Sequence, residues 1–238
     1  MGWGQLGRNP FTWVAAGLAL YLVSRNRSSL PNPPISPGPG NPPTTTTPCT
    51  YQYTSGGFSK SDAEKIARVK SYIVGYNAGA ERTAVGMGYR GSDYVGVLAS
   101  ALVTRAGMFG IPVDILVAMS QRESSFNYWL SDVLVKTQIE KGGAIGPLQV
   151  KPVAFRQVGF TPEFLIGWQP DDNRIYYAVS AGAKYLAWTK SQLPNYSWCD
   201  VLQSYYCGVN GFLRNGCRND PYVSKIIGWA NQYTDLKA

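Results

Sequence analysis

One carboxylate in this chain stands where it could do proton chemistry. The stretch "ILVAMSQRESSFNYW", Ile115–Trp129, begins as an apolar run that reads as buried helix and then meets Glu123. A glutamate at a helix end is ordinarily a solvated cap or half of an ion pair. Here the preceding "DILVAMS" is nearly all apolar, so the helix end should lie close to the core. A carboxyl there would be partly desolvated, which favours its protonated form. That is the state a general acid needs near neutral pH.

Three later segments carry polar groups on well-defined backbone. "GGAIGPLQVKP", Gly142–Pro152, combines turn-forming Gly143, Gly146 and Pro147 with the amide of Gln149, which can donate and accept. "SAGAKYLAW", Ser180–Trp188, is rich in small residues and should let two helices approach closely. "QSYYCGVNG", Gln203–Gly211, ends a helix at Gly208 and could turn the hydroxyl of Tyr205 or Tyr206 toward a cleft. The chain has no histidine, so the commonest metal ligand and the commonest neutral-pH base are both missing. Its four cysteines, Cys49, Cys199, Cys207 and Cys217, show no CxxC spacing. Neither a metal nor a cofactor is expected. The chemistry must rest on carboxylates, hydroxyls and amides.

The elements that position these groups read as helices. "SKSDAEKIARVKSYIVGY" opens with Ser61 and Glu64 in capping-box spacing. Further helices are expected from about Ser92, over Ile111–Ser124 with Pro112 in its first turn, and from the Thr161-Pro162 pair. The longest is expected in "DDNRIYYAVSAGAKYLAWTKSQL", followed by "SWCDVLQSYYCG" and "NDPYVSKIIGWANQY". No run of alternating strand type stands out. The fold class is all-α, with a small irregular or β insert expected between Phe126 and Gly146. The catalytic-type segments fall within a domain spanning residues 55–238.

Two other regions precede it. Residues 1–29 contain "FTWVAAGLALYLV", Phe11–Val23, uninterrupted by charge. As a helix it would span about 20 Å, short of a hydrocarbon core of about 30 Å unless flanking residues contribute. It reads as a membrane anchor, with a cleaved signal peptide or a buried helix as the other readings. Residues 30–54 carry eight prolines between Leu30 and Cys49 and four consecutive threonines, the composition of a stiff, extended spacer. A net charge of +8 on 238 residues suits an anionic partner. No Lys/Arg run of the nucleic-acid type is present, so nucleic acid is not the expected partner.

Taken in order, "AMSQRESSFN", "GAIGPLQVKP", "AGAKYLAW" and "SYYCG" resemble the peptidoglycan lytic transglycosylase family with a lysozyme-like fold. The family pattern is Glu-Ser-x-Phe at a helix end, Gly-Leu-Met-Gln-x-x-Pro, Gly-x-x-Tyr-Leu and Ala-Tyr-Asn-Ala-Gly. The resemblance implies that Glu123 is the catalytic acid/base. It implies substrate-binding places for Ser124, Phe126, Gln149, Tyr205 and Leu148, the last standing where methionine is usual. Tyr206 departs from the usual asparagine and Cys207 from the usual alanine. "GYNAG", Gly75–Gly79, matches the last motif better, but it precedes Glu123 and reads as a helix end.

The activity so implied is cleavage of the MurNAc–GlcNAc β-1,4 bond with formation of a 1,6-anhydro ring, one carboxylate serving as acid and then base. A hydrolase resembling goose-type lysozymes is the alternative. It needs a second carboxylate, for which Glu140 is the candidate and Asp132 the reserve. An inactive wall-binding module is a third reading. The implied partner is the peptidoglycan glycan strand. The implied location is the bacterial envelope, membrane-anchored with the domain facing the wall, or the membrane of a phage virion. Cysteines outside the cytoplasm can pair, and Cys199, Cys207 and Cys217 lie close in sequence; free buried thiols are the other reading.

Overall fold

The computed structural model describes residues 49–51, 60–167 and 171–236. The expected anchor over residues 1–29 lies outside the described residues. So does the linker over residues 30–54, apart from Cys49–Tyr51. Among the described residues no helix is long and apolar enough to cross a membrane.

The described residues form ten α-helices and no strand, as the all-α reading expects. Helix α1, Asp62–Tyr76, starts at the anticipated capping box. Ser61 Oγ accepts from Glu64 N at 3.3 Å, and Glu64 Oε2 accepts from Ser61 N at 2.9 Å. A short α2, Ala80–Gly86, leads to α3, Tyr94–Phe109, capped by Asp93 and stopped by left-handed Gly110. Helix α4, Val113–Ser124, carries Glu123; Pro112 is its N-cap residue rather than part of its first turn. Then come α5, Asp132–Lys141, and α6, Pro152–Gln157, followed by a 3₁₀ turn at Pro162–Leu165 where a helix was expected. Helix α7, Asp171–Gln192, is the longest. Helices α8, Trp198–Cys207, α9, Val209–Asn215, and α10, Asp220–Gln232, complete the set.

Helix α3 lies between α1 and α7, and α4 packs along α10. This sandwiching explains why α3 is buried around most of its circumference, with Tyr94, Leu98, Ala101, Leu102 and Ala106 all without exposure. The insert expected between Phe126 and Gly146 to be irregular or β is instead mostly α5. Only Val135 and Gln138 of that helix are buried, so its apolar period is too sparse to announce it. The one extended feature is an isolated antiparallel bridge between Ile145 and Val150, which closes the loop carrying Leu148 and Gln149.

That loop seats on α7 through Gly182. A β-carbon at Gly182 would lie 2.6 Å from Leu148 Cδ1 and 2.8 Å from Leu148 Cβ. The small residues of "SAGAKYLAW" therefore admit a loop at this point, where a second helix was expected. On its flank, buried Arg174 holds Asp132 at 2.7 Å, Asp171 at 3.3 Å and the Leu130 carbonyl at 3.1 Å, tying the start of α5 to α7.

Two disulfides close the architecture: Cys207–Cys217, and Cys49–Cys199 across 150 residues. The first joins two of the three cysteines that are close in sequence; the second recruits the distant one. Beside Cys49, Tyr51 donates to buried Asp114 at 2.9 Å, and Asn231 donates to the Thr50 carbonyl at 3.1 Å. Cys49–Tyr51, assigned to the linker by sequence, is packed on the core.

Candidate active site

Glu123 occupies the last turn of α4 and is only 6% exposed. Its Oε1 accepts a hydrogen bond from the Tyr222 hydroxyl at 2.6 Å. Tyr222 belongs to the first turn of α10, far away in sequence. Asn219 caps that helix by accepting from Tyr222 N at 3.1 Å. Gln203 of α8 fixes the cap in turn. Its Oε1 accepts from Asn219 N and its Nε2 donates to Asp220 Oδ1, each at 2.6 Å. The orientation of the carboxyl is thus set through α10 by a buried amide on α8.

The backbone after Glu123 is held in an uncommon shape. Ser125, Phe126 and Trp129 have φ of 53°, 60° and 46°, and Gln149 has φ of 49°. These are all the left-handed non-glycine residues among those described, and each conformation costs on the order of 1–3 kcal/mol. Three contacts hold the turn. Tyr94 donates from its hydroxyl to the Phe126 carbonyl at 2.8 Å. Asn77 Nδ2 donates to the Ser125 carbonyl at 2.9 Å. Asn127 Nδ2 donates to the Ser124 carbonyl at 2.8 Å. Asn77 is the C-cap of α1, so "GYNAG" is indeed a helix end, and one that braces the turn after Glu123.

The other sequence-selected residues fall into two groups. Ser124 donates its hydroxyl back to the Ser120 carbonyl at 3.0 Å, and Phe126 is fully buried with its ring edge-on to Tyr76. Both shape the helix end. Leu148 and Gln149 lie on the bridged loop. Gln149 Nε2 donates to the Gly146 carbonyl at 2.7 Å, and the Leu148 carbonyl accepts from the Tyr205 hydroxyl at 2.9 Å. Tyr205 also packs on Tyr185, with ring centroids 5.4 Å apart. Its neighbour Tyr206 packs on Tyr222 at 5.0 Å. Through the adjacent tyrosines of α8, the Gln149 loop and the Glu123–Tyr222 pair are braced by one helix end.

Cys207, which replaces the alanine of the last motif, forms the disulfide to Cys217 directly after these tyrosines. Glu140 is exposed on α5, about 170° around the helix from the mean direction of its buried residues, Val135 and Gln138. Asp132 is engaged by Arg174 and by Gly167 N at 3.0 Å. Sequence reasoning missed Tyr222. "NDPYV" signals only a helix start, and nothing local marks its ring as a partner for a residue on α4.

The model of the transglycosylase SLT domain family matches residues 101–222. The chain belongs to that family. No curated protein and no solved structure matches it. The SLT match begins within α3 and ends on Tyr222, so it takes in both partners of the 2.6 Å hydrogen bond. Membership gives the domain its general activity, degradation of peptidoglycan by transglycosylase-type chemistry, and makes glycan strands its binding partner. Tyr222→Phe in this SLT domain removes a hydrogen bond to a buried carboxyl. A bond of that kind contributes about 1.5–3 kcal/mol, so with Glu123 as the acid, as proposed below, kcat should fall by about tenfold to a hundredfold. KM should change little. Steady-state release of soluble muropeptides measures both.

Proposed function

We propose that the domain cleaves the MurNAc–GlcNAc β-1,4 bond without water, with Glu123 as its single acid and base. The observation that carries this reading is the setting of Glu123: almost fully buried at the end of an apolar helix, with one oxygen held by Tyr222. Burial favours the neutral acid. With Oε1 accepting from Tyr222, Oε2 is the oxygen that would carry the acidic proton to the glycosidic oxygen. Protonation breaks the bond from the muramic carbon C1 to the leaving sugar. The N-acetyl carbonyl oxygen of the same muramic residue bonds to C1 as the leaving group departs. The Glu123 carboxylate then takes the proton from the C6 hydroxyl. Its oxygen displaces the N-acetyl oxygen from C1, closing the 1,6-anhydro ring and restoring the acid.

Water activation by a second carboxylate has less behind it. Glu140 lies exposed on the outward side of α5, and Asp132 is bound to Arg174. The two disulfides favour an oxidising compartment outside the cytoplasm, consistent with a domain facing the wall and with residues 1–29 serving as its anchor. Digesting purified peptidoglycan with the protein and weighing the muropeptides tests the reaction. Products one water lighter than hydrolytic ones are expected. Reducing-end muramic acid would overturn the single-carboxylate reading.

A further inference from the structure

We infer that the Cys207–Cys217 disulfide is a redox gate on catalysis: it holds Tyr222 against Glu123, and its reduction idles the domain without unfolding it. The inference rests on Glu123 being the acid, as proposed above, and adds a control on that acid. Cys207 stands where the family pattern has alanine, which cannot cross-link, so the joint is this chain's own addition.

One face of α8 holds the segment that enters α10. Gln203, Tyr206 and Cys207 are spaced i, i+3 and i+4 and so share that face. Gln203 accepts from Asn219 N and donates to Asp220, each at 2.6 Å. Tyr206 packs on the Tyr222 ring. Cys207 is bonded to Cys217, which lies just ahead of Asn219. Asn219 caps α10, and Tyr222 in its first turn donates to Glu123.

Of these ties only the disulfide is covalent. It keeps Asn219 beside Gln203 at a high effective concentration. Once it opens, the N-terminus of α10 is free to move off α8. A displacement of about 1 Å there would stretch the 2.6 Å contact of Tyr222 beyond hydrogen-bond range. The rest of α10 stays seated, because Val223, Ile226, Ile227 and Ala230 remain buried and the helix packs along α4.

The two disulfides differ in access. Cys199 is only 2% exposed, whereas Cys207 and Cys217 are both half-buried. Exchange requires a thiolate to reach sulfur, so a small dithiol opens Cys207–Cys217 first. One of its thiolates attacks a sulfur of the pair and the S–S bond breaks. The second thiolate then closes the dithiol's own disulfide, and two electrons and two protons end on Cys207 and Cys217 as thiols. The short loop so opened costs the fold less than the long one closed by Cys49–Cys199. The domain is therefore idle where thiols are kept reduced and competent where disulfides persist.

The test measures kcat and KM for muropeptide release in the whole protein as wild type, Tyr222→Phe, Cys207→Ser with Cys217→Ser, and all three substitutions together. Breaking the joint alone should lower kcat about tenfold, the lower end of the effect of losing a hydrogen bond to a buried carboxyl. KM should change little. In Tyr222→Phe the same cysteine pair should lower kcat by less than about twofold, because the bond it acts through is already gone. Equal fractional losses in both backgrounds would make the disulfide merely structural and overturn the gate. So would an undiminished kcat in the cysteine variant. Partial reduction of folded wild type and Tyr222→Phe with dithiothreitol repeats the comparison without replacing a cysteine, and reoxidation should restore the rate. Alkylation followed by peptide mass should find Cys207 and Cys217 labelled before Cys49 and Cys199; the opposite order overturns the gate. Retained activity in Glu123→Gln overturns the proposed reaction and the gate together, whereas the other adverse results leave the reaction standing.

Discussion

Glu123→Gln abolishes glycan cleavage while leaving the fold in place: that is the largest effect expected of any single substitution in this protein. The amide keeps the size of the carboxyl and still accepts from the Tyr222 hydroxyl, so the contact at 2.6 Å survives. On the proposed mechanism, what is lost is the proton for the leaving oxygen and, later, the base for the C6 hydroxyl. Removing a positioned acid lowers a rate by about a hundredfold to ten-thousandfold. Because the proposed mechanism uses this one group twice, the upper end is the expected result. Initial rates of muropeptide release measure it, and a thermal melt close to that of wild type shows that the loss is chemical. Retention of a tenth of the activity would place the acid elsewhere.

The second large effect concerns stability. Replacing Cys49 and Cys199 together by serine opens a covalent loop with a sequence separation of 150 residues. By the chain-entropy account, a closed loop of that size stabilises the fold by about 5 kcal/mol, against about 2–3 kcal/mol for a loop of ten. The separation at Cys207–Cys217 is ten. Since whole domains are stable by about 5–15 kcal/mol, the Cys49/Cys199 pair should lower the denaturation midpoint far more than Cys207/Cys217. Urea titrations of the two double variants compare them directly. An equal loss in both would mean that the folded state, rather than loop length, sets the contribution.

Local signals announced the helices well. The Ser61–Glu64 box, the apolar faces and the Gly208 stop all became what their chemistry dictates. Glu123 could be singled out because the apolar run and the charge are adjacent in the chain. Its partner could not, because Tyr222 meets it only when α4 and α10 pack. The same limit applies to the Cys49–Cys199 pairing and to the fit of Leu148 over Gly182, both of which join distant segments. Helix α5 escaped notice for a different reason: with only two buried positions, it leaves almost no periodic trace. Tyr206 and Cys207 looked like defects in a motif. In the fold one of them covers Tyr222 and the other is cross-linked.

The covalent joint at Cys49 also decides how the domain carries mechanical load. Tension arriving along the chain from before Cys49 passes through sulfur into Cys199, the second residue of α8. Residues 50–198 then lie in a closed side loop outside the covalent line of force. That loop contains Glu123, its left-handed turn and the Gln149 loop. The line continues along α8 to Cys207 and crosses directly to Cys217, so α9 is bypassed as well. A pull between the chain before Cys49 and the chain after Cys217 would load α8 through its two disulfides, and the segment that carries Glu123 would sit in slack chain.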